Sequence, residues 1–174
     1  DLELYATEFV SVRRALERFT RGRLLANLAA THPLFRKLAK AERRALIGKF
    51  QMRKVYPGDI VIEQGDVPTG LCLVLRGDFS VSRAEAGLNA TVATLGCGDV
   101  FGEISLVHRT RTTATVRATS YAEIMVLSPG ECSAMTSQYP ETASILSDLS
   151  EQRIRRLASR AGSTIPTDDA ATLL

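Results

Sequence analysis

A chain of 174 residues with 45% hydrophobic and 24% charged residues has the size and composition of one globular domain, with or without an arm. It can bury a core without disulfides or metal. The net charge of +3 is too mild to point to nucleic acid by itself, and no apolar run approaches the ~18 residues a membrane helix needs.

Cys72, Cys97 and Cys132 are odd in number and far apart, with no CxxC pair and no Cys/His cluster. That pattern argues against zinc and predicts three small apolar side chains in a reducing, cytoplasmic setting. No basic-then-apolar signal segment opens the chain. It begins with Asp1 rather than Met, which reads as a fragment of a longer protein.

In chain order, the first segment is a predicted helix. Leu2, Tyr5, Phe9, Val12, Leu16 and Phe19 are spaced 3, 4, 3, 4, 3 and draw one apolar stripe. Such a stripe packs on its own domain or forms a seam for a partner helix. Thr31-His32-Pro33 ends it, since proline disfavours helix at the preceding residue. A short helix is expected around Ala41 to Phe50, with Ala45, Leu46 and Phe50 on one side.

From Gln51 the texture changes to short alternating runs: 60–62, 71–75, 79–81, 91–95, 115–116 and 124–127. Period-2 alternation is the strand signature. Four Gly-Asp pairs, at 58–59, 65–66, 77–78 and 98–99, supply corners between them. Many short strands at regular spacing predict an antiparallel β-roll in an α+β chain.

Ser128-Pro129 then starts a helix, Tyr139-Pro140 breaks it, and a last helix is expected from about Glu141 to Arg160. Its apolar positions are Ile145, Leu146, Leu149, Ile154 and Leu157. The division is an arm over 1–30, a core domain over 31–160 (roll about 51–128, helices about 129–160) and a mobile polar tail over 161–174.

The segment FGEISLVHRTRTTATVRA, 101–118, combines a glycine, an acid, hydroxyls and arginines. Backbone N–H groups opening a short helix after Phe101-Gly102 would point at an anion. Gly102 would let backbone come close. With Pro33-Leu34-Phe35, Pro57-Gly58-Asp59, Gly65-Asp66, Leu75-Arg76-Gly77, Gly98-Asp99-Val100-Phe101-Gly102-Glu103 and Ala114-Thr115-Val116-Arg117-Ala118, in this order and spacing, the chain resembles the cyclic nucleotide-binding domain family. In texture 101–121 is similar to the channel-type members, which also carry the later Tyr139-Pro140.

The resemblance implies a cAMP or cGMP pocket, with no other cofactor. Its phosphate and ribose side would be Phe101, Gly102, Glu103, Ile104, Ser105, Arg111, Thr112, Thr113 and Ala114. Glu103 would accept from the ribose 2′-hydroxyl; helix N-terminal capping is its plainer role. The slot where the family usually places an arginine for the cyclic phosphate holds Thr112, with Arg111 one residue earlier and Arg109 two before that. A one-residue shift turns a strand side chain to the opposite face, whereas a loop is less strict. Thr113 resembles members that accept guanine, or simply suits a strand.

Val81, Ala93 and Leu95 would face the base or sugar, or fill the roll core. Arg153 and Arg156 of the last helix would reach the base, or lie on a solvated face. Ligand would draw that helix over the pocket about a hinge near Tyr139-Pro140.

The partners so implied are the small-molecule nucleotide and, through the terminal helices, a second copy or an output domain, with no nucleic acid and no membrane segment in the chain. Two histidines, His32 and His108, are too few for a metal site, and no serine or cysteine has a paired base, so no catalytic set is found. The alternative is a roll that has lost its ligand and serves as an interaction or dimerisation module. A helix-turn-helix of the catabolite-activator type does not fit in the about fourteen residues after Arg160.

Overall fold

Leu71, Cys72, Leu73, Val74 and Leu75 are buried one after another. Side chains alternate across a strand, so such a run needs protein on both faces. Leu71, Leu73 and Leu75 meet Phe35, Leu46, Phe50, Met135 and Leu146 on the helical side. Cys72 and Val74 join Val55, Phe79, Phe101, Val116 and Ile124 inside the roll. This strand is part of the wall between two apolar cores.

A computed structural model describes residues 2–161. Three helices come first: α1 (Leu2–Thr31), α2 (Pro33–Arg36) and α3 (Lys40–Ile47). The strands are β1 (Gln51–Val55), β2 (Ile60–Ile62), β3 (Leu71–Arg76), β4 (Phe79–Glu85), β5 (Leu88–Leu95), β6 (Val100–Phe101), β7 (Thr115–Ala118) and β8 (Ala122–Leu127). Helix α4 (Glu103–His108) interrupts them, and α5 (Pro129–Gln138) and α6 (Pro140–Ala161) follow. Two four-stranded sheets, β1-β8-β3-β6 and β2-β7-β4-β5, are antiparallel throughout. The fold is the α+β roll with flanking helices that the alternation predicts.

All four Gly-Asp corners form, with Gly58, Gly65, Gly77 and Gly98 at positive φ. Gly77 has no alternative, because a Cβ there would lie 2.5 Å from the Tyr121 carbonyl oxygen. Asp59 and Asp99 each accept from the backbone N–H three residues earlier, at 3.0 and 2.8 Å, and so close their own turns.

Three expectations change. In the apolar stripe of α1, Val12, Leu16 and Phe19 are 65, 64 and 63% exposed, so this part does not pack on its own domain. Leu2, Tyr5 and Phe9 have side chains outside the described residues. Among the described residues, α1 meets the helical core through its far end, at Leu24, Leu25 and Leu28. Ala45 is exposed, whereas Leu46 and Phe50 are buried: neighbours 45 and 46 point about 100° apart on a helix, and Phe50 lies beyond α3, which ends at Ile47. Cys97 is exposed, with its thiol donating to the Leu75 carbonyl at 3.1 Å, unlike buried Cys72 and Cys132.

Of the expected mobile tail, 161–174, Ala161 is the last residue of α6, and 162–174 lie outside the described residues. No described helix is long and apolar enough to cross a membrane.

Candidate functional site

Gly102 sets the geometry of the site. It caps α4 in the left-handed conformation, φ 86°. A Cβ there would approach the Gly70 carbonyl oxygen to 2.5 Å. The sharp turn lets β6 run straight into α4, which puts Glu103 at the first position of the helix and turns its carboxyl inward. Phe101, just before, is locked in the roll against Phe79, ring centroids 5.6 Å apart.

A cavity of about 440 Å³ opens at this junction. Phe101, Gly102, Glu103, Ile104 and Ser105 line one side, and Thr112, Thr113 and Ala114 the next. Val81, Ala93 and Leu95 form the sheet wall, and Arg153 and Arg156 enter from α6. The structure thus brings thirteen of the fourteen residues singled out from the sequence to one cavity. Arg111 is the exception. Its guanidinium donates to the Gly65 carbonyl at 3.0 Å, and it lines a second hollow, between α4, α5 and α6, together with Arg109.

Ile62, Asp99, Val116 and Leu157 also line the cavity and were not singled out. Leu157 could have been found, since it stands one helical turn beyond Arg153. The others sit in strand and turn positions with no signal beyond the fold itself.

Glu103 is 1% exposed and ion-paired: Arg153 Nη1 donates to its Oε1 at 2.9 Å. Burial pushes the Glu103 carboxyl above the ordinary carboxylate range, while the Arg153 charge and hydrogen bond pull it back. Arg153 is therefore not on a solvated face. It ties α6 to the first turn of α4, across fifty residues of sequence. The Glu103 carboxyl also accepts from its own backbone N–H at the start of α4, so the N-terminal capping role and the pairing with Arg153 coexist.

Thr112 is 6% exposed, and its hydroxyl is committed. It donates to the Glu63 carbonyl and accepts from the Asp66 N–H at 2.8 Å. Backbone bonds from Thr112 N–H to the Asp66 carbonyl, 2.9 Å, and from Gly65 N–H to the Thr112 carbonyl, 2.8 Å, complete the clamp. The loop before β7 is thereby bolted to the turn after β2. Cys72 and Cys132 are kept protonated by burial, their thiols pushed up to about 12 and about 11. Among the described residues no cluster of His, Cys, Asp or Glu could hold a metal ion.

The comparisons with known proteins agree with this geometry. The chain is 36% identical over 118 residues to a cyclic nucleotide-gated cation channel protein from Drosophila melanogaster, covering 64% of this chain and 17% of that protein. It is 32% identical over 102 residues to a cAMP-dependent protein kinase regulatory subunit from Mycosarcoma maydis, covering 57% and 19%. The chain thus spans less than a third of these relatives.

Among solved structures it is similar to the Thermus thermophilus catabolite activator protein, with TM-score 0.66, 30% identity, and 75% of this chain and 62% of that chain covered. It is also similar to the regulatory domain of Toxoplasma gondii PKA with cAMP, with TM-score 0.61, 26% identity, and 65% and 43% covered. The family model "Cyclic nucleotide-binding domain" matches residues 52–149, more than half of the chain, and the chain belongs to that family.

Proposed function

We propose that this chain is a regulatory sensor module, not an enzyme, that takes cAMP or cGMP into the roll cavity and reports it through α6. The observation that carries the reading is buried Glu103 inside the cavity, held by an arginine of the last helix. A ribose hydroxyl donating to that carboxylate competes with or joins Arg153. Ligand therefore acts directly on the contact that docks α6. Ligand-driven movement of α6, about the break at Tyr139-Pro140, follows if the ligand favours one docking over the other. Relatives that carry cyclic nucleotide in their names or bound in their structures support the same ligand class.

The signal would leave through the terminal helices, to a second copy or an output domain. Exposed Val12, Leu16 and Phe19 on α1 support that route. A cytoplasmic setting fits the free thiols.

A second reading, a ligand-free docking scaffold, is favoured by one observation: the committed hydroxyl of Thr112. Calorimetric titration of nucleotide-stripped protein with cAMP and with cGMP separates the two. Micromolar binding of either supports the sensor. Silence with both at millimolar concentration leaves the scaffold.

A further inference from the structure

We propose that the cavity takes neutral ribonucleosides at least as tightly as their 3′,5′-cyclic phosphates. This rests on the reading of the cavity as a ribose site, and it concerns the charge the site can accept.

The lining carries two acids, Asp99 and Glu103, and two arginines, Arg153 and Arg156, so its formal charges cancel. Arg153 is paired with Glu103 at 2.9 Å, so the two together bring no net charge to the lining. The loop that precedes β7 offers no cation either. Arg111 is turned to the Gly65 carbonyl, and Arg109, left-handed at φ 53°, lies on the second hollow. Arg117 donates to the Gly58 carbonyl at 2.7 Å. Thr112 has no donor left to give, since its one proton goes to the Glu63 carbonyl.

Arg156 remains, but it is exposed on α6, where water screens a charge. The first turn of α4 offers at most a partial positive charge, less than a guanidinium's full one.

A cyclic phosphate entering this cavity would give up water without a buried counter-charge, which is costly. Loss of one charge-assisted hydrogen bond corresponds to roughly 10- to 100-fold in affinity. A nucleoside gives up only neutral hydroxyl hydration. Its 2′-hydroxyl meets Glu103 as a cyclic nucleotide's would. Its 3′- and 5′-hydroxyls find Thr113, which lines the cavity. Val81, Ala93 and Leu95 give an apolar wall that does not read the phosphate. At about 440 Å³ the cavity suits a molecule of this size.

The test is calorimetric titration of the stripped 174-residue chain with adenosine against cAMP and guanosine against cGMP. In the better-bound pair the nucleoside is expected to bind as tightly as the cyclic nucleotide or more so. Glu103→Ala is expected to weaken both members of that pair by similar factors. Cyclic nucleotide tighter than nucleoside by tenfold or more overturns the proposal and leaves the sensor reading intact. Nucleoside binding indifferent to Glu103→Ala also overturns it, since the ribose acid would not be involved. Silence with all four overturns this proposal and the sensor reading together.

Discussion

Thr112 stands where the family resemblance implies an arginine, and the structure gives it a different task. Its hydroxyl joins two backbone groups of the turn after β2, 46 and 49 residues away in sequence. The near-isosteric Thr112→Val leaves the Glu63 carbonyl and Asp66 N–H without that partner. It is expected to lower unfolding free energy by about 1–3 kcal/mol, read from the urea midpoint. A loss below about 0.5 kcal/mol would mean that the hydroxyl is not a clamp. Thr112→Arg is expected to be destabilising for the same reason, rather than a simple repair.

Glu103 was legible from its motif, whereas the bonds of Thr112 were not, because local sequence does not show which distant carbonyl a hydroxyl meets. Glu103 also sets a pH dependence. Its folded carboxyl holds a proton more tightly than the unfolded one, because burial disfavours the charge. Its contribution to stability is therefore greatest below the ordinary carboxylate range and declines as pH rises through the raised folded value. Glu103→Gln removes that decline. The variant's stability relative to wild type should rise between about pH 4 and pH 7 in urea titrations. A constant difference would contradict a raised carboxyl.

Among the elements, the roll was read well where burial was one-sided or complete. β3 announces itself as an unbroken apolar run. β1 was missed because Gln51, Met52, Arg53 and Lys54 are all exposed, so that strand is held by pairing to β8 rather than by its own pattern. β6 was missed because two residues carry no period.

The α1–α2 break was legible at His32-Pro33, but the cap was not. His32 Nδ1 accepts from the Leu34 N–H at 3.2 Å, which needs an unprotonated nitrogen. Burial lowers the His32 pKa, and the Gly98 backbone and Asp99 oppose that only in part. The unfolded chain takes up the proton first, so stability is present above the ordinary histidine value, about 6.5, and is lost as pH falls below it. His32→Asn keeps a capping acceptor without titrating. Its melting temperature should drop less than that of wild type between about pH 7 and pH 5. Equal drops would contradict a neutral cap.

For the molecule as a whole, the two cores and the docked last helix make one body from which part of α1 presents an apolar face. Val12→Ser and Phe19→Ser should change unfolding free energy by less than about 0.5 kcal/mol, because neither side chain is buried against the roll. A cost of about 2 kcal/mol or more would mean that the stripe packs inward after all. The alternating pattern and the glycine corners made the architecture legible. The pairing of Glu103 with Arg153 was not, because it depends on how α6 lies across the roll, which no local pattern encodes.

That pairing is the centre of the account, and the most direct measurement is calorimetric titration of the better-binding nucleotide, cAMP or cGMP, into wild type and Glu103→Ala. The account predicts saturable binding to wild type and an affinity at least tenfold weaker in the variant. Equal affinities in the two proteins would contradict it, because the ligand would then bind without the buried acid on which the site is built.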